Sequence, residues 1–412
     1  MKQNVPTVLN SIQQLQVGPL GPHIINFASL LIEQGYADFS MKLKIRLVVD
    51  FSKWMENQKI TIDNLEEKNI NDFIELKGIQ KSIRRGLLAT LKLLLRHFQN
   101  IGIIQSSPPI LEVNPFENIE CGFAKYLSQE RGLSMATLDN YIPLVRRFLS
   151  ESFSSGNNQV EKIRPVDVTN FILRYVPTVK RKTAQLMTSS LRAFFRYLHV
   201  RGRITVDLAQ FVPTVAYWRL ANIPKHLQPE EVESLLKNCD QSNPTGVRDY
   251  AILLLFARLG LRAGEVATMI FEDFNWEKGE LIIRGKGPRK DRLPIPNDVG
   301  EAIVKYLKHG RPKCRTRRVF VRARAPYKGF SSSVALCNIV ERALCRSNLQ
   351  PPHKGAHLLR HSLANHMLQK DSTLTEIGEI LRHQLPSTTE IYTKVDLNAL
   401  SSVAQPWPGG EI

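Results

Sequence analysis

Six side chains in the C-terminal half of the chain make a set suited to one kind of chemistry. They are Arg262, Lys286, His357, Arg360, His383 and Tyr392. Guanidinium groups fork onto the oxygens of a phosphate. Imidazoles donate or carry protons. A phenol can attack phosphorus and hold it covalently. The phenol is the demanding member, because its ordinary pKa is about 10. It needs a base and cationic surroundings before it can act. Two arginines, two histidines, a lysine and a tyrosine therefore point to phosphoryl transfer through a covalent tyrosine adduct.

The local sequence says how these groups are held. His357 and Arg360 are three residues apart in His357-Leu358-Leu359-Arg360, which puts them on one helix face. Taken alone, that pair would read as a solvated helix face. His361 and His366 lie close by, but no acid or cysteine joins them at a metal-ligand spacing, so no metal is expected. Arg262 follows an apolar helix in Gly260-Leu261-Arg262-Ala263-Gly264-Glu265, and Glu265, one helical turn on, is expected to partner a basic group of the site. Lys286 sits in Gly285-Lys286-Gly287, between the β-branched runs Leu281-Ile282-Ile283 and Leu293-Pro294-Ile295; this reads as a hairpin. Tyr392 comes nine residues after His383. No Gly-x-x-x-x-Gly-Lys-Ser/Thr loop occurs, and no cofactor is expected.

The first 220 residues read as helices joined by polar turns. Ile24–Glu33, Met41–Asn57, Asn69–Leu76 and Ser82–Gln99 carry apolar residues at three- and four-residue spacing. Gln105-Ser106-Ser107-Pro108-Pro109 breaks the pattern, which then starts again. Phe123-Ala124 echoes Phe27-Ala28 at an offset of 96, Phe171-Ile172 echoes Phe73-Ile74 at 98, and Leu191 to Leu198 echoes Leu91 to Phe98 at 100. These ordered echoes read as a divergent duplication of one small helical module. The expected division is 1–105, an N-terminal helical module; 112–205, a second helical module; 206–225, a linker; 226–400, a mixed α+β domain; and 401–412, a tail.

Composition narrows the partner. The 412 residues carry a net charge of +18, and Arg284–Lys328 alone holds 15 basic and 3 acidic residues. Self-repulsion makes such an excess costly for folding, and a polyanion is the usual reason for it. Lys180, Arg181 and Lys182, and Arg315, Arg317 and Arg318, are expected to meet phosphates, contacts that position a protein without reading sequence. No apolar run approaches the ~20 residues of a bilayer span, and the N-terminus lacks the apolar core of a signal peptide, so a cytoplasmic, DNA-associated location and no membrane partner are expected. The five scattered cysteines include no Cys-x-x-Cys pair and read as reduced thiols.

In order and spacing, the six residues resemble the catalytic set of the tyrosine recombinases, or phage integrases. The Gly-Leu-Arg box, the Gly-Lys-Gly turn, the His-Leu-Leu-Arg-His box and the Ile391-Tyr392-Thr393-Lys394-Val395 ending are similar to the bacterial Xer-type and mobile-element branch. This likeness spans about Leu227 to Leu400, and Phe123 to Gly202 resembles the family's helical core-binding domain through Glu130-Arg131-Gly132-Leu133-Ser134. The implied fold is mostly α with a small β-sheet: two tandem helical SAM-like modules followed by an α+β catalytic domain. The implied function is site-specific recombination of double-stranded DNA by a homotetramer or a heteromeric recombinase assembly, through a 3′-phosphotyrosine and a four-way junction, without ATP or metal. In that scheme Tyr392 is the nucleophile, Arg262 and Arg360 clamp the phosphate, and His383 hydrogen-bonds to it. His357 accepts the tyrosine's proton, and Lys286 protonates the leaving 5′-oxygen. A relaxing enzyme of the type IB topoisomerase kind and a catalytically silent DNA-binding protein are the rival readings. Two features depart from the family plan: Arg382 stands where glycine is common before the last histidine, and residues 1–110 are additional.

Overall fold

The apolar spacing of the first hundred residues produces four helices: α1 Ile24–Glu33, α2 Asp38–Asn57, α3 Glu67–Leu76 and α4 Lys81–Asn100. The computed structural model describes residues 17–77, 81–104, 116–153, 160–216, 224–285 and 290–395. The buried faces of these helices meet in one core built on Phe27, Leu31, Phe51, Phe73, Leu91, Leu94 and Phe98. The start of α3 is fixed by Asn69, whose side chain accepts the Glu66 N–H at 2.8 Å. Gly35 after α1 and Gly102 after α4 take left-handed backbone at φ 80° and 75°, the conformation in which glycine ends a helix without a Cβ penalty.

The second module repeats this order. Helix α5 Glu117–Lys125 runs into a wider turn at Tyr126–Glu130; α6 Met135–Ser152, α7 Pro165–Tyr175 and α8 Arg181–Val200 follow. Their core contains Phe123, Leu127, Phe148, Phe171, Leu191, Phe194, Phe195 and Leu198. Pro165 opens α7, and Asp167 accepts the Arg164 N–H at 3.0 Å. The expected helices are thus present, and each of the four in the first module starts at or up to three residues before its expected first residue, where capping rather than periodicity sets the boundary.

In the C-terminal domain, α9 Pro229–Lys237, α10 Pro244–Leu259 and α11 Ala263–Thr268 precede a small sheet. Nearly every residue of α10 from Val247 to Leu259 is buried, as an all-round apolar helix requires. The sheet is antiparallel, in the order β1 Phe274–Asn275, β2 Glu280–Arg284, β3 Lys290–Pro294, with Leu281 opposite Leu293. The β2–β3 pair is the predicted hairpin; β1, two residues long, is too short to give an alternation signal. Helices α12 Asn297–Lys305, α13 Val334–Arg346, α14 Ala356–Gln369 and α15 Leu374–Ile380 follow, then a 3₁₀ turn at Glu390–Val395.

The chain divides into two compact units, one holding residues 1–106 and 222–412, the other 107–221. Within the first unit the N-terminal module meets the C-terminal domain: the Tyr327 N–H donates to the Gln34 carbonyl at 3.1 Å, and Arg315 pairs with Glu33 at 2.5 Å. Among the described residues no helix is long and apolar enough to cross a membrane.

Candidate active site

Helix α10 ends at Gly260, whose left-handed backbone (φ 55°) turns the chain tightly. A Cβ there would lie 2.6 Å from Leu381 Cδ2, so that side chain would have to shift, and the left-handed φ favours glycine in any case. Arg262 follows as the N-cap of α11. Glu265 accepts the Arg262 backbone N–H and its Nη1, both at 2.8 Å, and also Nη2 of Arg382 at 3.0 Å. Its side chain is only 8 % exposed, and its carboxylate bridges two guanidiniums. Glu265 is thus a buried, ion-paired acid rather than a solvated one.

Arg360 projects from α14, which places it between two turns. Its Nη1 donates to the Gly260 carbonyl at 2.5 Å and its Nη2 to the Leu381 carbonyl. One guanidinium thereby ties the turn that carries Arg262 to the turn that carries Arg382 and His383. Burial, with Arg262 and Arg382 nearby, pushes Arg360 down to about 10. It stays cationic at neutral pH, in a field that an anion would relieve.

Tyr392 is 1 % exposed and packs against Ala364, Ile377 and Leu381. Its hydroxyl oxygen lies 2.9 Å from Nδ1 of His361, and its ring stacks on His383 with centroids 6.5 Å apart. Burial pushes the Tyr392 hydroxyl up to about 12, against the opposing pull of Arg360. Burial pushes His361 and His383 down to about 4, and neighbouring cations add to the effect. Both imidazoles are therefore neutral at pH 7. Nδ1 of His383 is 2.7 Å from Oγ1 of Thr389, which fixes the ring.

A cleft of about 640 Å³ opens beside these groups, lined by Arg262, Glu265, Arg284, His357, Arg382 and His383. Arg262, Arg360, His383 and Tyr392 thus come together from α11, α14 and the final turns, with His357 on the cleft wall. Lys286 lies outside the described residues, although the strands flanking it are formed. The histidine against the tyrosine hydroxyl is His361, which the sequence reading weighed only as a metal ligand. It follows His357 by four residues, so helical spacing alone put it on the same face. Among the described residues no group of three or more His, Cys, Asp or Glu could hold a metal ion.

The outlying basic residues divide. Lys180, Arg181 and Lys182 are exposed at the start of α8. Arg317 donates to Glu272 at 2.7 Å, and Arg318 to the Thr268 carbonyl, so these two and Arg315 are engaged within the fold.

A family model described as the phage integrase family matches residues 225–398, and one described as the phage integrase N-terminal SAM-like domain matches 121–202. A protein named as an integrase/recombinase, y4rA of Sinorhizobium fredii, is 39% identical over 394 residues, 95% of each chain. The chain belongs to the phage integrase family of tyrosine recombinases. The tyrosine recombinase XerC of Thermodesulfovibrio yellowstonii is 30% identical over 293 residues, covering 68% of this chain and 93% of that one. The fold is also that of the XerH site-specific recombinase in a crystal structure with palindromic difH substrate: TM-score 0.56, 22% identity, covering 69% of this chain and 83% of that one. The y4rA alignment is long enough that most of the N-terminal module must lie within it.

Proposed function

We propose that this tyrosine recombinase is a site-specific DNA recombinase of a mobile element, cutting and rejoining duplex DNA through Tyr392. The observation that carries this is a cleft lined by Arg262 and His383, with Arg360 buried against the Leu381 turn and Tyr392 buried against the His383 ring, and with the lining carboxylate Glu265 shared by two arginines. A phosphodiester is anionic, and its transition state spreads charge over the non-bridging oxygens. Arg262 would contact those oxygens from the cleft, Arg360 would hold the two turns and add its charge, and His383 would donate a further hydrogen bond.

The reaction balances without a cofactor. The Tyr392 oxygen attacks phosphorus, the P–O5′ bond breaks, and a 3′-phosphotyrosine and a free 5′-hydroxyl result. The phenol, raised to about 12, needs a base. His361 is neutral and within hydrogen-bond distance, so with its proton on Nε2 it accepts the phenolic O–H at Nδ1. His357 is the alternative acceptor once the tyrosine has moved toward the cleft. Such movement is required, because a hydroxyl buried to this degree cannot meet a phosphodiester. Lys286 would protonate the 5′-oxygen. Rejoining reverses these steps with a 5′-hydroxyl from the partner strand, and two rounds in a protein tetramer would pass through a four-way junction.

Residues 1–105 would form a duplicate of the core-binding module. Support comes from equivalent burial of Phe73 and Phe171, Leu91 and Leu191, and Phe98 and Leu198, and from the α3 and α7 caps that fall at the same offset. Lys180, Arg181 and Lys182, exposed at a helix start, are the favoured phosphate contacts. The test is a nicked duplex bearing DNA that flanks this gene: recombinant strands are expected in addition to covalent adduct. Relaxation of supercoils with no strand exchange would favour a topoisomerase-like activity.

A further inference from the structure

Arg382 stands where the backbone is left-handed, at φ 54°, a conformation that disfavours every side chain relative to glycine. The chain nevertheless puts a guanidinium there and buries it. Burial lowers its pKa, which measures the cost of keeping the charge. Its Nη1 donates to the Ile380 carbonyl at 3.0 Å, its Nη2 to Glu265 at 3.0 Å, and its buried Nε has no partner among the described residues. A chain-folding role alone would be met more cheaply by glycine. What the arginine adds is a second cation on Glu265.

The arithmetic of charge gives that addition a purpose. Glu265 is already bonded twice by Arg262, through the backbone N–H and Nη1. A shielded carboxylate held by one guanidinium cancels it, and the pair offers no net charge to an incoming anion. A carboxylate shared between two guanidiniums leaves the trio one positive charge. We propose that Arg382 is a positioning residue that offsets Glu265, so that Arg262 is oriented by the carboxylate and still presents net positive charge to the scissile phosphate. The inference rests on the reading of Arg262 as a phosphate contact.

The test pairs Arg382→Gly with Glu265→Gln. Glycine suits the left-handed turn, and glutamine keeps an oxygen that accepts from Arg262 while removing the charge. The substrate is a nicked duplex carrying a site that the wild-type protein selects from randomised DNA, and the readout is single-turnover formation of the covalent adduct. Arg382→Gly is expected to slow adduct formation roughly 10- to 100-fold. The double variant is expected to recover to within about threefold of wild type, since no charge then needs offsetting. Arg382→Gln, which keeps hydrogen-bonding capacity, carries the same comparison if the glycine variant melts early. Wild-type rates in Arg382→Gly overturn the proposal. So does equal impairment with and without Glu265→Gln, which would make Arg382 a structural anchor. If the wild-type protein forms no adduct, the functional reading itself fails and this inference falls with it.

Discussion

The hydroxyl oxygen of Tyr392 and Nδ1 of His361 are 2.9 Å apart, joining the final turn of the described chain to the middle of α14. The histidine in contact with the hydroxyl of the proposed nucleophile thus lies outside the six residues that carry the family resemblance. The contact is made by a tyrosine that is 1 % exposed. The cleft is open to Arg262, His357 and His383, whereas the Tyr392 side chain is buried.

His361→Ala is expected to lower single-turnover adduct formation by roughly 10²-fold, the scale of removing a general base, while leaving noncovalent DNA binding intact. The wild-type rate should hold steady from about pH 8 to 6 and fall as His361 becomes protonated toward about 4. An unchanged or faster rate in the variant would make the hydrogen bond a resting latch and return the base role to His357.

The same histidines set the acid stability. His361 and His383 sit near 4 in the folded chain against an ordinary 6.5, so the unfolded chain binds more protons between those values. Their contribution is complete above about pH 6.5 and is lost as pH falls toward 4. The melting temperature should drop across that window, and His361→Gln should make the drop shallower. A melting temperature that is flat from pH 7 to about 4.5 would contradict the burial argument.

Lys286 is tested through its leaving group. Replacing the bridging 5′-oxygen by sulfur removes the need for a proton. Lys286→Ala should be slow on the oxygen substrate and largely restored on the sulfur one. Equal impairment on both would reduce Lys286 to a phosphate contact.

Much of this site was legible because its chemistry is carried by local spacing. His357 and Arg360 three apart, and Glu265 one turn after Arg262, suggest shared faces, and the order of all six residues with the family resemblance singles them out. The His361–Tyr392 pairing was not legible, since it depends on how the final turn packs over α14, thirty-one residues away. Arg382 was visible only as a departure, and its ion pair to Glu265 spans 117 residues. Arg315, Arg317 and Arg318 read as a phosphate-binding run; each also has an acid or a carbonyl partner in the fold, with the side chains of Arg315 and Arg317 still 90 % and 68 % exposed. Charge counts do not reveal which cations are already engaged. The four helices of the N-terminal module were readable from apolar spacing; the hydrogen bond from Tyr327 to Gln34 was not, because backbone partners leave no trace in side-chain type.

The N-terminal module gives a further expectation. A chain beginning near Leu111 keeps every residue of the candidate site and should still form adduct. If residues 1–105 touch phosphates, the truncated chain should bind DNA with a shallower salt dependence, by about 0.9 in slope for each phosphate no longer neutralised. An unchanged slope with failed synapsis would assign the module to protein–protein contacts. Absence of adduct in a truncated chain that remains folded would show that the docking of Glu33 and Gln34 on the C-terminal domain supports the chemistry.

Tyr392 is the residue proposed to form the covalent bond to DNA. The most direct measurement is to trap the adduct on a nicked duplex, digest the protein and identify the modified peptide by mass spectrometry. The expected result is one nucleotide-bearing tyrosine, Tyr392, with no adduct in Tyr392→Phe although that variant still binds the duplex. Adduct on another residue, or persisting at wild-type yield in Tyr392→Phe, would contradict the account.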